Sequence, residues 1–164
     1  MIIKDNPDVI FQYTFDSSNL KGDAQKVYIP ENQIELKKII IDCYYNNEKI
    51  TIAGAGTGIT GARVPFGGSV ISTEKLNKIL EIGGNYVIVE PFVTLSQLSE
   101  ELDKYNLFLP PNPTEINASI GGNVATNASG ARTFKYGAIR DWVLELEIIL
   151  SNGEILHLKR GEIT

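Results

Sequence analysis

Residues 49–72 read KITIAGAGTGITGARVPFGGSVIS. The β-branched residues near the two ends of this stretch predict strands over residues 49–53 and 69–72. Between them, glycine occupies four of the eight positions of residues 54–61, which we call the glycine loop. Glycine permits positive φ angles and has no Cβ atom, so successive backbone N–H groups can converge on an anion. The stretch therefore predicts a loop between two strands that holds a pyrophosphate.

A dinucleotide-binding fold is an alternative for the same stretch. Gly56, Gly58 and Gly61 satisfy the G-x-G-x-x-G spacing after a strand, and Glu74 follows at nearly the distance expected of a ribose-binding acid. That fold requires a helix that begins directly at the loop. Residues 63–68 contain a proline and paired glycines, which a helix of three turns does not accommodate. A nicotinamide dinucleotide is therefore disfavoured. A tight turn that binds nothing explains the glycines and threonines less well than a pyrophosphate loop does.

A second stretch, residues 119–130, is poor in large side chains, and we call it the small-residue segment. It follows the proline-rich run of residues 110–113, and only Ile120 and Val124 in it are sizeable and apolar. Such a segment leaves a cavity unless a large flat group, such as a flavin ring system, fills the space beside it. Rigid apolar flanks make a flexible loop the less favoured alternative. We expect its backbone amides and three of its hydroxyl groups to line a pocket, namely those of Ser119, Thr126 and Ser129.

The rest of the chain predicts strands and helices in two subdomains. The predicted elements are a strand at 27–29, a helix from Asn32 to about 46–47, a hairpin of 79–82 with 86–90, a helix opened by a capping box of Thr94 and Gln97, and a hairpin of 143–150 with 154–158. The first 26 residues read as a polar and irregular segment. We therefore divide the chain into an N-terminal segment (1–26), a first subdomain (27–105) and the start of a second subdomain (106–164).

Composition excludes several classes of protein. The 164 residues carry a net charge of −5, which argues against nucleic acid as a partner because phosphate binding needs a concentrated basic surface. One cysteine and one histidine do not assemble a metal site, and we expect a buried Cys43 and an outward-facing His157 on a strand. The residues show no signal-peptide pattern and no apolar run of transmembrane length, so we expect a cytoplasmic protein.

Together these motifs resemble the flavin domain of the vanillyl-alcohol-oxidase type, or PCMH type. The resemblance runs from about Tyr13 to about Leu158, and the nearest branch is the group that contains the flavin-binding glycolate oxidase subunit and FAD-linked D-lactate dehydrogenase. It implies an α+β fold of two subdomains that hold FAD between them, here truncated before the end of the second subdomain. The residues that carry it are 53–61, 73–82, 89–95, 110–113, 119–130 and 135–137.

The resemblance also implies a location for FAD. The glycine loop would take the pyrophosphate, and the small-residue segment with neighbouring positions would line the ribityl chain and the ring. Some relatives attach the flavin covalently through a histidine of the glycine loop; the matching position here is Thr57, which implies non-covalent binding. The implied cofactor-binding residues are Gly54, Ala55, Gly56, Thr57, Gly58, Ile59, Thr60, Gly61, Pro111, Ser119, Gly121, Gly122, Ala125, Thr126, Ser129, Tyr136 and Gly137.

The activity that the resemblance implies is hydride transfer from the α-carbon of a 2-hydroxy acid, such as glycolate or D-lactate, to flavin N5. In relatives a separate substrate domain supplies the catalytic base, so we assign no catalytic residue to this chain and expect it to be inactive alone. A partner subunit or an electron acceptor is a further expectation. Two alternatives stay open: a non-catalytic assembly module with the same fold, and a flavin reductase of the UDP-sugar type.

Overall fold

The computed structural model describes residues 1–111 and 113–162. Asn112, which belongs to the proline-rich run, and the last two positions of the predicted region 106–164 lie outside the described residues. The described residues form a mixed structure of short strands and helices, which confirms the predicted α+β class. The division at residues 26 and 105 stays a prediction.

Eight strands and five α-helices lie in the described part of the chain. The strands are β1 (Ile2–Lys4), β2 (Lys26–Ile29), β3 (Ile50–Ala53), β4 (Ser69–Ser72), β5 (Ile79–Ile82), β6 (Val87–Val89), β7 (Glu145–Ile149) and β8 (Ile155–Lys159). The helices are α1 (Pro7–Phe11), α2 (Gln33–Tyr45), α3 (Leu95–Asp103), α4 (Ile120–Ala125) and α5 (Thr133–Tyr136), and a 3₁₀ helix covers Ile139–Trp142.

A four-stranded sheet organises the first part of the chain. Its strand order is β1-β2-β4-β3, in which β1 pairs antiparallel with β2 and the other neighbours are parallel. All four residues of β4 are buried, because this strand has a neighbour on each side and helices cover both faces of the sheet. A strand that is buried on both faces does not alternate between apolar and polar residues. The sequence SVIS of β4 shows no such alternation.

The two faces of this sheet are covered by α1 and α2. Ile10 of α1 belongs to one cluster with Val70 of β4. Cys43 of α2 belongs to another cluster with Ile71, the next residue of the same strand. Cys43 is 2% exposed, as predicted, and burial raises the pKa of its thiol to about 11. Its thiol is therefore a neutral packing group at neutral pH.

The structure confirms the elements predicted between residues 27 and 105. The Asn32 side chain accepts a hydrogen bond from the Glu35 N–H group at 2.9 Å, and α2 ends at Tyr45. Thr94 and Gln97 form a reciprocal capping box at the start of α3, which buries its leucine face against the β5–β6 hairpin. Local capping signals fix these helix starts because each satisfies N–H groups that the helix leaves without partners.

The last described hairpin, formed by β7 and β8, is also confirmed. Its turn packs against α2, since Gly153 has a φ of +82° and any Cβ atom there would overlap the Ile41 side chain. His157 on β8 has a 74% exposed side chain, as predicted, and its Nδ1 lies 3.4 Å from an Oε2 atom of Glu147 on β7. The histidine is therefore a surface residue of the hairpin.

The expectation of an irregular segment over residues 1–26 is wrong. β1 extends the sheet by pairing with β2, and α1 begins with the Asn6 side chain as its N-cap and Pro7 in its first turn. Elements of three and five residues are too short to show a hydrophobic period, so the pattern gave no signal. The pair Asn6-Pro7 was a readable start signal.

None of the helices in residues 1–111 and 113–162 is long and apolar enough to cross a membrane.

Candidate cofactor site

The glycine loop connects two neighbouring parallel strands without a helix. It begins directly after β3, and residues 54–68 contain no helical residue before β4 begins at Ser69. This confirms the predicted loop between strands and removes the alternative that needs a helix at the loop. Gly56 and Gly61 have φ angles of +77° and +74°, which residues with side chains rarely adopt.

The backbone donors of the glycine loop have no protein partners. Within residues 1–111 and 113–162, none of the eight N–H groups of residues 54–61 donates a hydrogen bond to a protein acceptor. The tip of the loop is open to solvent, and Ile59 is 78% exposed. Backbone N–H groups require an acceptor from water or a ligand when the protein supplies none. The loop therefore offers a row of free donors to an anion.

Arg63 ties the start of the glycine loop to the end of α1. Its Nη1 atom donates to the Gly54 carbonyl oxygen at 3.2 Å, and its Nη2 atom donates to the Gln12 carbonyl oxygen at 2.8 Å. The guanidinium also lies over the Tyr13 ring, with 5.5 Å between Cζ and the ring centroid. Burial lowers the pKa of Arg63, but a guanidinium remains charged in proteins. Sequence reasoning missed this role. The available signal was the location of the first arginine of the chain, two positions after the glycine loop.

Glu74, which the dinucleotide alternative assigned to a ribose, accepts hydrogen bonds from protein hydroxyls. The Tyr13 hydroxyl donates to its Oε2 atom at 2.8 Å, and the Ser72 hydroxyl donates to the same atom at 2.9 Å. Burial, followed by this bond to Glu74, raises the pKa of Tyr13 to about 12. The tyrosine ring thus joins the Arg63 guanidinium to the Glu74 carboxylate in one network beneath the loop.

Asp16 places a second carboxylate beside the glycine loop. It is 7% exposed, and within the described residues its Oδ2 atom has no hydrogen-bond partner. A Cβ atom built on Gly58 would lie 4.0 Å from that oxygen. The Nε atom of Arg63 is also buried and has no partner in the same part of the chain. Charged groups of both signs therefore lie close to the loop.

The small-residue segment contains a helix, α4, that the sequence analysis did not predict. Two of its N–H groups bond to the residues before α3: Ile120 donates to the Val93 carbonyl and Gly121 to the Pro91 carbonyl, each at 2.8 Å. A Cβ atom on Gly121 would lie 2.7 Å from the Cβ atom of Pro91 and 2.9 Å from its oxygen. Gly121 is thus required for close packing between α4 and the chain before α3, a role that needs no ligand.

The two glycine-rich regions meet at Ser119 and Gly54. Ser119 is 2% exposed, and its Oγ atom would lie 2.7 Å from a Cβ atom at Gly54 and 3.0 Å from one at Gly122. The absence of side chains at both glycines is therefore what allows the Ser119 hydroxyl to lie between the two regions. The structure brings together the predicted residues Gly54, Ser119 and Gly122.

The other predicted residues have contacts within the second region. Ala125, Thr126 and Ser129 are exposed, and the Thr126 hydroxyl donates to the Gly122 carbonyl at 2.9 Å. The Tyr136 carbonyl accepts from the Trp142 indole at 2.8 Å, and Gly137 has a φ of +83°. Pro111 is buried. In the described part of the chain, no hydrogen bond joins these six residues to the glycine loop.

Asn123 is a further polar residue of the second region that sequence reasoning missed. It is 4% exposed, and its Nδ2 atom is buried without a hydrogen-bond partner among the described residues. A buried amide donor without an acceptor is costly, so a native structure normally supplies a partner from water or a ligand. An asparagine inside a run of glycine, alanine and valine was the available sequence signal.

Sequence comparisons place these features in a known family. A family model described as "FAD binding domain" matches residues 24–159. D-lactate dehydrogenase of Anaerostipes hadrus is 38% identical over 151 residues, which cover 89% of this chain and 32% of that protein. Glycolate oxidase subunit GlcD of Bacillus subtilis is 34% identical over 149 residues, which cover 88% and 32%. D-2-hydroxyglutarate dehydrogenase of Rattus norvegicus is 31% identical over 143 residues, which cover 84% and 26%.

The fold agrees with a solved structure, and the family match covers most of the chain. An alkyldihydroxyacetonephosphate synthase structure matches 98% of this chain and 35% of its own, with a TM-score of 0.86 and 23% identity, which shows a shared fold alone. The chain spans about a third of the length of the first two curated relatives above. With a strand-to-strand glycine loop, free backbone donors and a matched span of residues 24–159, the chain belongs to the FAD-binding domain family, whose cofactor is FAD.

Proposed function

We propose that this chain binds FAD non-covalently, with the diphosphate on the glycine loop and the flavin ring beside the small-residue segment. The observation that carries the proposal is that the eight successive N–H groups of residues 54–61 have no protein acceptor among residues 1–111 and 113–162. A diphosphate supplies many acceptor oxygens and a double negative charge, and successive N–H groups at glycines bind such anions. Contact between Gly54 and Ser119 supports one continuous site for both ends of the cofactor.

The residues of the second region fit the other half of FAD. The Nδ2 donor of Asn123, which has no partner among the described residues, and the Ser119 hydroxyl are buried polar groups in a region of mostly backbone and small side chains. A flavin presents ring nitrogens and carbonyl oxygens that accept hydrogen bonds, and a flat face that packs against small residues. When bound, FAD supplies the redox chemistry by accepting a hydride, while this chain orients it and limits water at the ring.

Non-covalent attachment is supported by the side chains near the glycine loop. The resemblance matches Thr57 to the histidine through which some relatives attach flavin, and a threonine hydroxyl is a weak nucleophile. The histidine of the chain lies on β8 beside Glu147, and its cysteine lies on the buried face of α2, in one cluster with Ile71 of β4. Heat or acid denaturation should therefore release all flavin into the supernatant, and flavin that stays with the precipitated protein would contradict this.

We further propose that the enzyme to which this chain contributes oxidises a 2-hydroxy acid. The names of three relatives specify D-lactate, glycolate and D-2-hydroxyglutarate, which share this chemistry. We assign the catalytic base to none of the described residues. The test is to add each acid to the FAD-loaded complete enzyme without oxygen and follow the visible flavin absorbance, because we expect the chain alone to be inactive. Bleaching by NADPH but by none of the acids would favour the flavin-reductase alternative.

The FAD site itself is tested with two glycine variants. Gly56→Val introduces a side chain at a φ of +77° and against the Arg63 guanidinium, so we expect loss of FAD binding. Gly84→Val is the matched control, because a Cβ atom there has no atom within 4 Å and the backbone is not left-handed. Both proteins are titrated with FAD and followed by flavin fluorescence. Undiminished affinity in a folded Gly56→Val protein would refute the assignment of the glycine loop.

A further inference from the structure

The half-buried Arg63 contacts the glycine loop on the side of α1. Its guanidinium bonds to the carbonyl oxygens of Gly54 and Gln12, and a side chain at Gly56 would overlap its Nη1 atom. Arg63 follows the loop by two positions. The arginine therefore lies against the loop at two places, Gly54 and Gly56, and joins both to the end of α1.

The bond to Gly54 sets the direction of a loop donor. A peptide unit is planar and trans, so its C=O and N–H groups point in opposite directions. Because the Gly54 carbonyl points to Arg63, the N–H group of Ala55 points away from Arg63. That N–H is one of the eight donors without a protein acceptor. Arg63 thus orients the first peptide of the loop with its donor toward the side opposite the guanidinium.

Arg63 also compensates the carboxylates beside the loop. The Asp16 Oδ2 atom is buried next to Gly58, and Glu74 is linked to the guanidinium through the Tyr13 ring. Two carboxylates at this location would repel a diphosphate, and the repulsion grows as the surroundings become less polar. A guanidinium fixed against Gly54 and the Tyr13 ring adds a positive charge near the loop, which reduces that repulsion.

We propose that Arg63 is the positioning residue for the diphosphate of FAD: it orients the glycine loop through Gly54 and offsets the charge of Asp16 and Glu74. This role rests on the proposed FAD site, and it assigns to Arg63 an effect on the diphosphate and none on the flavin ring. The side chain needs no direct contact with the ligand.

The test compares ligands with and without a diphosphate. Arg63→Met and Arg63→Lys are titrated with FAD and riboflavin by fluorescence and with inorganic pyrophosphate by calorimetry, at low salt. Lys38→Met, on the exposed side of α2, is the control with the same loss of one positive charge. Circular dichroism and thermal unfolding establish that each variant is folded.

We expect Arg63→Met to weaken FAD and pyrophosphate at least about tenfold, or about 1.4 kcal/mol, and riboflavin less than about twofold. Arg63→Lys keeps the positive charge but cannot donate to both the Gly54 and Gln12 carbonyl oxygens through a planar guanidinium. It should therefore bind both diphosphates with intermediate affinity. Adding Asp16→Asn to Arg63→Met should restore part of the loss, because it removes a carboxylate that the arginine offsets. A residue that only holds the fold together would weaken all three ligands alike and would not be rescued by Asp16→Asn.

Each outcome decides a separate statement. Wild-type affinity for FAD and pyrophosphate in Arg63→Met, or equal weakening of riboflavin, would overturn the role of Arg63 and leave the proposed FAD site intact. Arg63-dependent binding of pyrophosphate without binding of FAD would overturn the proposed function and leave the diphosphate site. Binding of neither ligand by the wild type would overturn both. Should Arg63→Met not fold, wild-type affinities in Arg63→Lys would overturn the positioning role.

Discussion

The glycine loop and the small-residue segment have similar compositions, but their glycines have different structural roles. In the glycine loop, Gly56 and Gly61 are required by their backbone angles, and the N–H groups have no acceptor in the part of the protein that the structure describes. In the small-residue segment, Gly121 has ordinary backbone angles and is required by close contact with Pro91. Its N–H group is used in a hydrogen bond to the same residue.

This difference separates a binding surface, the glycine loop, from a packing contact, that of α4 with the chain before α3. A region that leaves its backbone donors free loses no fold hydrogen bonds when a ligand is absent, so substitutions there should act on binding. A region that uses its donors to join α4 to the chain before α3 should respond to substitution with a loss of stability. Glycine content alone does not distinguish the two cases; the partners of the N–H groups do.

The largest expected effect on stability is at the packing contact between α4 and Pro91. Gly121→Val should lower the free energy of unfolding by about 3 kcal/mol, because its Cβ atom would overlap the Pro91 Cβ atom and backbone oxygen and the backbone would have to shift. Urea unfolding followed by circular dichroism measures this, with Gly84→Val as the control at about 0.5 kcal/mol or less. Equal unfolding midpoints for Gly121→Val and wild type would show that Gly121 is not a packing residue.

An intermediate effect is expected where the two regions meet. Gly54→Ala would place a methyl group 2.7 Å from the Ser119 hydroxyl oxygen, whereas Ser119→Ala removes that oxygen and leaves the Ser119 Cβ atom 4.0 Å away. The double variant should therefore be more stable than the sum of the single changes, with a coupling of about 1 kcal/mol. Additive free energies of unfolding would mean that Gly54 and Ser119 do not touch in solution.

The smallest effect concerns the network beneath the glycine loop, and it appears at alkaline pH. The pKa of Tyr13 is raised from 10.0 to about 12 in the folded protein, mainly by burial and then by its bond to Glu74. Its contribution to stability is therefore complete below pH 10 and is lost as the pH rises from 10 toward 12. The melting temperature of wild type should fall more steeply over this range than that of Tyr13→Phe. Parallel curves for the two proteins would contradict the raised pKa.

The sequence predicts the glycine loop and most of the core elements because their signals are local. A proline and paired glycines after the loop exclude a helix there, and capping residues mark the starts of α2 and α3. The chemistry of a backbone anion site also follows from composition, because glycine is the residue that such a backbone requires.

The features that the sequence did not reveal depend on contacts across the fold. α4 begins with isoleucine and two glycines, which have no strong helix preference, and its position is fixed by hydrogen bonds to residues near 91–93. The role of Arg63 depends on the Gln12 carbonyl, which is 51 positions away in sequence. The different roles of the two sets of glycines likewise depend on the residues they contact in the fold and not on the spacing of the glycines in sequence.

The connection from β3 to β4 also constrains the length of the chain. β3 ends at Ala53 and β4 begins at Ser69, so fifteen residues lead from one parallel strand to the start of its neighbour. The second part of this connection is fixed to the residues before β2, where Gly67 donates to the Asp23 carbonyl at 3.0 Å. A residue inserted or deleted between Gly67 and β4 would shift β4 in register relative to this contact, which would turn its buried side chains to the opposite faces. Length variation in this second part of the connection is therefore less well tolerated than at the open turn around Gly84.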